Sequence, residues 1–307
     1  MSFDQFLTVL LSPSEVLLDI FSFISTIGLI VVMFSLGAKI NFLEVKKIFT
    51  EPKDLLTGLF FQVVLIPVIG IFLILTTNFP PNIKLAILII ACMPSAATSN
   101  FITSKFNGDV SLSITLTSIC TLLTIYTIPF FLNLFSSIMN EDFQIFNFNY
   151  TSVIVKVFIT VTLPIVFGMA IKYFFPQIKK IEKNLDKISF ILFLIIIKFA
   201  IYISAINIEN ASQNFIAVFS FMGLIIFFIF ITTKLMNTPP KRTKALVAEA
   251  LLQNNILGFL VIFSISKKAP VILPTLAIYG ACQYLVIVLL FIIFFKKKFS
   301  IYNSDKI

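Results

Sequence analysis

One pattern fills this chain: an apolar run of about twenty residues, a short polar connection, then another apolar run. The runs fall at about 15–37, 54–76, 84–106, 109–135, 151–175, 184–206, 213–233, 241–265 and 269–295. Each is long enough, as a helix, to cross roughly 30 Å of hydrocarbon. Hydrocarbon offers no partner for a bare N–H or C=O, so a spanning segment must be a helix or part of a closed barrel. Period-2 alternation, the mark of a barrel strand, is missing. With 59% hydrophobic and only 12% charged residues, the expected fold is an all-α polytopic membrane protein of nine transmembrane helices, with the lipid bilayer as its first partner.

Composition also removes whole classes of chemistry. Histidine is absent, which excludes His-ligated zinc, haem held through His and Ser-His hydrolysis. Cys92, Cys120 and Cys282 all lie in apolar runs and read as small core residues. No phosphate-binding GxxxxGK[ST] loop and no signal-peptide pattern are present, so neither an ATP-driven pump nor an enzyme is expected, and no cofactor. The net charge of +9 does not point to nucleic acid, because the basic residues sit between the runs. Placing the N-terminus outside puts eighteen of the 23 Lys and Arg residues on the cytoplasmic side, as the positive-inside rule requires. The loop Asn140–Tyr150 then lies outside with Glu141 and Asp142 and no basic residue. The expected location is the cell membrane, multi-pass, with a cytoplasmic C-terminus.

The runs divide as a short outer segment (1–14), four spans (15–135), an outer loop with a connecting span (136–183), four more spans (184–295) and a basic cytoplasmic tail (296–307). The two sets of four begin on opposite sides, the signature of an inverted-repeat transporter, in which interrupted polar helices at matching positions mark the site. The third span of each set qualifies. One contains Pro94, Ser95, Thr98, Ser99 and Asn100; the other contains Glu249, Gln253, Asn254 and Asn255. Proline breaks helical bonding, and small polar side chains can satisfy the backbone groups it frees.

Glu249 dominates this set. An acidic side chain at a helix centre costs about 2.5–3.5 kcal/mol on insertion scales, so it needs a partner. Its own span offers no basic residue in the apolar part. Counted at 1.5 Å per residue from the cytoplasmic end of each span, Gln62, Thr117 and Glu249 lie about 12 Å deep, Asn100 about 9 Å and Ser113 about 6 Å. Ser113 and Thr117 share a helix face, as do Glu249 and Gln253. Oxygen ligands around a single carboxylate suit a small monovalent cation, sodium above all. Lys198, in the run 184–206, is near enough to the outer end to snorkel to water.

These residues carry a resemblance. MFSLGAKI (Met33–Ile40), EPKDLLTGLFFQVVLIP (Glu51–Pro67), SNFITSKFNGDVSLSITLTS (Ser99–Ser118) and EALLQN (Glu249–Asn254) look like the motifs of the bile acid:sodium symporter family, in its nine-span form. The resemblance implies one sodium site at Ser99, Asn100, Ser113, Thr117 and Glu249, and a second at Gln62, Glu249, Gln253 and the carbonyls of Ala250 and Leu252. It implies that Asn100, Asn254, Pro94 and Thr98 face an organic anion. The family often has glycines where this chain has Ser95, Ala96 and Leu251. The expected function is a secondary active symporter that couples sodium entry to uptake of an organic anion, bile-acid-like or a small carboxylate, through two discontinuous crossing helices. Sodium is then the coupling ion. The alternatives are proton coupling, with Glu249 titrating, and a membrane sensor or enzyme that moves nothing.

Overall fold

The structure is a computed structural model that describes residues 15–39, 52–144, 150–175, 210–265 and 271–295, with isolated positions between 184 and 202. It is all-helical over these residues. In chain order the helices are α1 (Glu15–Lys39), α2 (Pro52–Thr76), α3 (Pro81–Cys92), α4 (Thr98–Lys105), α5 (Val110–Gln144), α6 (Tyr150–Val157, continuing through Leu163–Phe174), α7 (Ala211–Leu235), α8 (Pro240–Leu251), α9 (Asn255–Ile265) and α10 (Leu273–Phe295). Among the described residues, four helices are long and apolar enough to cross a membrane by themselves, and five if α5 counts. The protein is a multi-pass membrane protein. The expected run 184–206 lies almost wholly outside the described residues.

Two expected spans are each two helices. The run 84–106 is α3 and α4 with a break at residues 93–97, and the run 241–265 is α8 and α9 with a break at residues 252–254. α5 differs from expectation at its far end: it stays helical past Phe135 to Gln144, into the stretch read as loop. It also bends by 60° around residue 125. Pro129 lies four residues on, where its ring meets the residue-125 carbonyl and no N–H is left to bond it.

Burial sorts the helices into layers. Every residue of α3 from Leu85 to Cys92 is buried, as is every residue of α8 from Ala245 to Leu251. A helix stretch buried on every side sits at the centre. Around them stand α2, α5, α7 and α10. The outward stripe of α2 (Leu56, Phe60, Val64, Val68, Phe72 and Leu75) is exposed and apolar, the face a bilayer would solvate. α2 and α6 each contain a π-helical turn, Phe61–Leu65 and Phe158–Thr162, closed by Ile66 N→Phe61 O and Leu163 N→Phe158 O bonds. Each is followed two residues later by a proline, Pro67 or Pro164. The widened turn makes room for a ring that has no N–H to give.

α1 and α6 form a closely packed pair. A Cβ on Gly37 would lie 2.2 Å from Ile165 O, and one on Gly168 would lie 2.3 Å from Phe34 O. Only glycine lets the two backbones approach this far, the small-residue contact typical of membrane helices. This pair meets the rest through α9 and α5.

At the end where α2 and α8 begin, charges tie the elements together. Arg242 donates to Asp54 at 2.5 Å and lies 3.5 Å from Asp109. Lys53 donates to Met236 O and Lys244 to Phe106 O, both at 2.8 Å. α4 and α7 both end on an asparagine with positive φ, Asn107 and Asn237. Asparagine tolerates the left-handed C-terminal turn that closes a helix.

Candidate functional site

The two breaks cross and bond to each other. Ser95 and Gln253 form an antiparallel bridge, in which Ala96 N donates to Leu252 O at 2.7 Å and Asn254 N donates to Pro94 O at 2.8 Å. Backbone groups freed from helical bonding are thus paired across the crossing, as they must be away from water. α10 supports the second break from behind. Tyr279 Oη donates to Leu251 O at 2.9 Å, and Gln283 Oε1 accepts from Gln253 N at 3.0 Å. Asn254 caps α9 by accepting from Leu257 N at 3.2 Å. Asp109 caps α5 in the same way, through Leu112 N at 3.1 Å.

Glu249, in the last turn of α8, is 5% exposed and points into a group of hydroxyls. Its Oε1 accepts from Ser99 and Ser113, both at 2.5 Å, and from Thr117 at 3.1 Å. Its Oε2 accepts from Thr117 at 2.9 Å and from Ser95. Asn100 Oδ1 lies 2.7 Å from the same Ser113 hydroxyl, whose one hydrogen serves either it or the carboxylate. No Lys or Arg pairs with Glu249 among the described residues, and no group of three or more His, Cys, Asp or Glu is found there. The centre is therefore one carboxylate among neutral oxygens. That set suits a hard monovalent cation and does not suit a transition metal.

All five residues expected at the first site, Ser99, Asn100, Ser113, Thr117 and Glu249, come together in one connected cluster. The second expected set assembles around the glutamines. Gln62, on the π-helical turn of α2, donates to Met93 O at 2.8 Å and to Gln253 Oε1 at 2.9 Å. Gln253 donates in turn to Ala250 O at 2.8 Å, while Leu252 O takes the Ala96 N–H. Gln62 Oε1 is buried with no hydrogen-bond partner. A bare carbonyl-type oxygen in such a place is an open acceptor for a cation.

The residues expected to face substrate divide. Pro94 and Asn254 are buried at the crossing. Asn100 joins the carboxylate cluster, and Thr98 lies apart, 3.2 Å from Tyr284 Oη. Lys198 is helical and exposed. The sequence reading treated Ser95 only as a residue that tolerates broken backbone, and it did not find Tyr279 or Gln283. Each had a signal. Ser95 is four residues before Ser99, and Tyr279 is four before Gln283, so each pair has the same one-face spacing that picked out Ser113 with Thr117.

These features define a class: a polytopic helical membrane protein whose polar centre is a buried carboxylate at the crossing of two broken helices. The Sodium Bile acid symporter family matches residues 26–211, and the chain belongs to that family. The match ends before the second break. Longer similarity comes from individual proteins. The chain is 25% identical over 247 residues to the uncharacterized sodium-dependent transporter YocS of Bacillus subtilis, covering 78% of this chain and 74% of that one. It is 25% identical over 244 residues to the ileal sodium/bile acid cotransporter of Mus musculus, covering 78% and 69%. With the sodium-dependent organic anion transporter of Bos taurus it shares 28% identity over 181 residues, 58% of this chain and 47% of the relative.

Proposed function

We propose that this chain is a sodium-coupled symporter that takes up an organic anion by alternating access. The observation that carries the reading is Glu249: a buried carboxylate with hydroxyls from two other helices and a break converging on it, and no basic partner among the described residues. The names of the relatives, sodium-dependent transporters of bile acid or organic anions, support it. One sodium ion binds at Ser99, Asn100, Ser113, Thr117 and Glu249. A second binds at Gln62, Gln253, Glu249 and the carbonyls of Ala250 and Leu252. The anion binds beside Asn100, Asn254, Pro94 and Thr98.

Charge counting favours this stoichiometry. Two sodium ions, one monovalent anion and the Glu249 carboxylate sum to zero, so the loaded centre faces the membrane interior without net charge, where a bare charge is costly. The cycle carries one net charge inward, worth roughly 2.3 kcal/mol per 100 mV. Sodium at the crossing draws the two breaks together and completes the anion's surface, so each ligand raises the other's affinity by the same factor. Nine spans, two inverted sets of four at residues 15–135 and 184–295 with one connecting span between them, an outer N-terminus and a cytoplasmic C-terminus, supply the architecture for this movement. The test is uptake of labelled anions into proteoliposomes under a sodium gradient, beside a pH gradient alone. Sodium-driven accumulation that Glu249→Ala abolishes is expected. Full accumulation under the pH gradient without sodium overturns the coupling.

A further inference from the structure

Ser95 is the residue on the carboxylate that the expected ligand sets leave out. It lies in the first break, 1% exposed, with its backbone in the antiparallel bridge to Gln253. Its hydroxyl bonds Glu249 Oε2 and lies 3.3 Å from Thr117 Oγ1. The two edges of Glu249 are unlike. Oε1 faces Ser99, Ser113 and Thr117, whereas Oε2 would have Thr117 alone without Ser95. A residue without a side-chain oxygen at this position would leave that edge to Thr117. Serine adds one, held in place on both sides by the cross-break bonds of Pro94 O and Ala96 N.

We infer that Ser95 Oγ is a ligand of the coupling cation at the Oε2 edge of Glu249, an oxygen that sets how tightly this chain holds sodium and how well it distinguishes sodium from lithium. The inference rests on the sodium reading above. A hydroxyl that donates its hydrogen to the carboxylate keeps its lone pairs for a cation on the same edge. Its neighbours bond Leu252 O and Asn254 N, so an ion at this edge contacts both breaks through one residue.

Purified full-length chain in detergent is titrated with sodium chloride or lithium chloride, with choline chloride holding ionic strength constant. Thermal unfolding is the readout, because a ligand of the folded state stabilises it. Ser95→Ala and Ser95→Gly are expected to raise the half-saturating sodium concentration on the order of tenfold, the size of a lost bond to a charged group. They should also shift the lithium-to-sodium ratio of half-saturation. Ser95→Thr, which keeps the hydroxyl, should stay near the parent. If Ser95→Ala and Ser95→Gly lower the melting temperature without sodium but saturate at the parent's concentration and ratio, Ser95 is only a structural support and the inference fails. A parent protein with no sodium response, like Glu249→Gln, would instead sink the sodium reading itself.

Discussion

Replacing Gln283 by leucine tests whether α10 holds the second break in shape. The side chains are of similar size, so the change removes a hydrogen bond without opening a large cavity. Gln253 N donates to Gln283 Oε1 at 3.0 Å and, less favourably, to Leu251 O at 3.2 Å, only two residues back. Gln253 is fully buried. A buried N–H left without any partner costs about 1–3 kcal/mol, and the residual bond to Leu251 places this case near the lower end. Leu251 O is itself held by Tyr279 Oη, so Tyr279→Phe should cost about 1 kcal/mol alone. The two α10 groups hold opposite ends of one short turn. The double variant should therefore lose more than the sum of the singles, by at least about 0.5 kcal/mol. The assay is denaturant unfolding in detergent of the parent, both singles and the double, with Gln283→Glu as a variant that keeps the acceptor. Strict additivity, or a Gln283→Leu protein as stable as the parent, would refute the claim that α10 fixes the break.

Two further predictions follow from geometry already described. Gly168→Val should separate α1 from α6, since even a Cβ there lies 2.3 Å from Phe34 O, whereas Gly223→Ala, with nothing within 4 Å of its Cβ, should not; size-exclusion profiles should show loss of monodisperse protein for the first alone. Asn254→Asp keeps an oxygen to cap α9 through Leu257 N but buries a second negative charge at the crossing, where the anion is proposed to bind; thermal stability should fall and anion affinity should fall at least tenfold, and equal anion affinity would remove Asn254 from the substrate surface.

How much was legible in the sequence depends on the range of the interaction. The break after Cys92 could be read because Pro94 interrupts the helix chemically and the residues after it are small and polar. The break at Leu252 has neither proline nor glycine, and only the run Gln253, Asn254, Asn255 pointed to it. The Glu249 cluster was accessible because depth along a helix is set by a fixed rise, so residues on different spans could be compared by counting. Counting cannot say which way a side chain in a break turns. Ser95 was therefore missed, although the crossing aims it at the carboxylate. The pairing of Gln283 with Gln253 depends on how α10 lies behind α8, a tertiary fact with only a weak local trace. The helical extension of α5 to Gln144 had no stop signal of its own, since Glu141 and Asp142 are compatible with either helix or loop.

The π-helical turn at Phe61–Leu65 works as a phase correction. Residues four apart in an α-helix drift by about 40° per step, and the lipid-side positions of α2 from Leu56 to Phe72 are four apart throughout. A wider turn in mid-course takes back much of that drift, leaving Gln62 aimed at the crossing while hydrophobic groups above and below it still look outward. Five residues in the wider turn rotate about as far as four in an α-helix, so removing one of them would let the helix close as α and leave the rest of the span facing as it does now. Winding all five as ordinary α-helix would instead turn the part of α2 beyond them by about one residue's rotation, roughly 100°, and bring its packing surface round to the lipid without any change in composition.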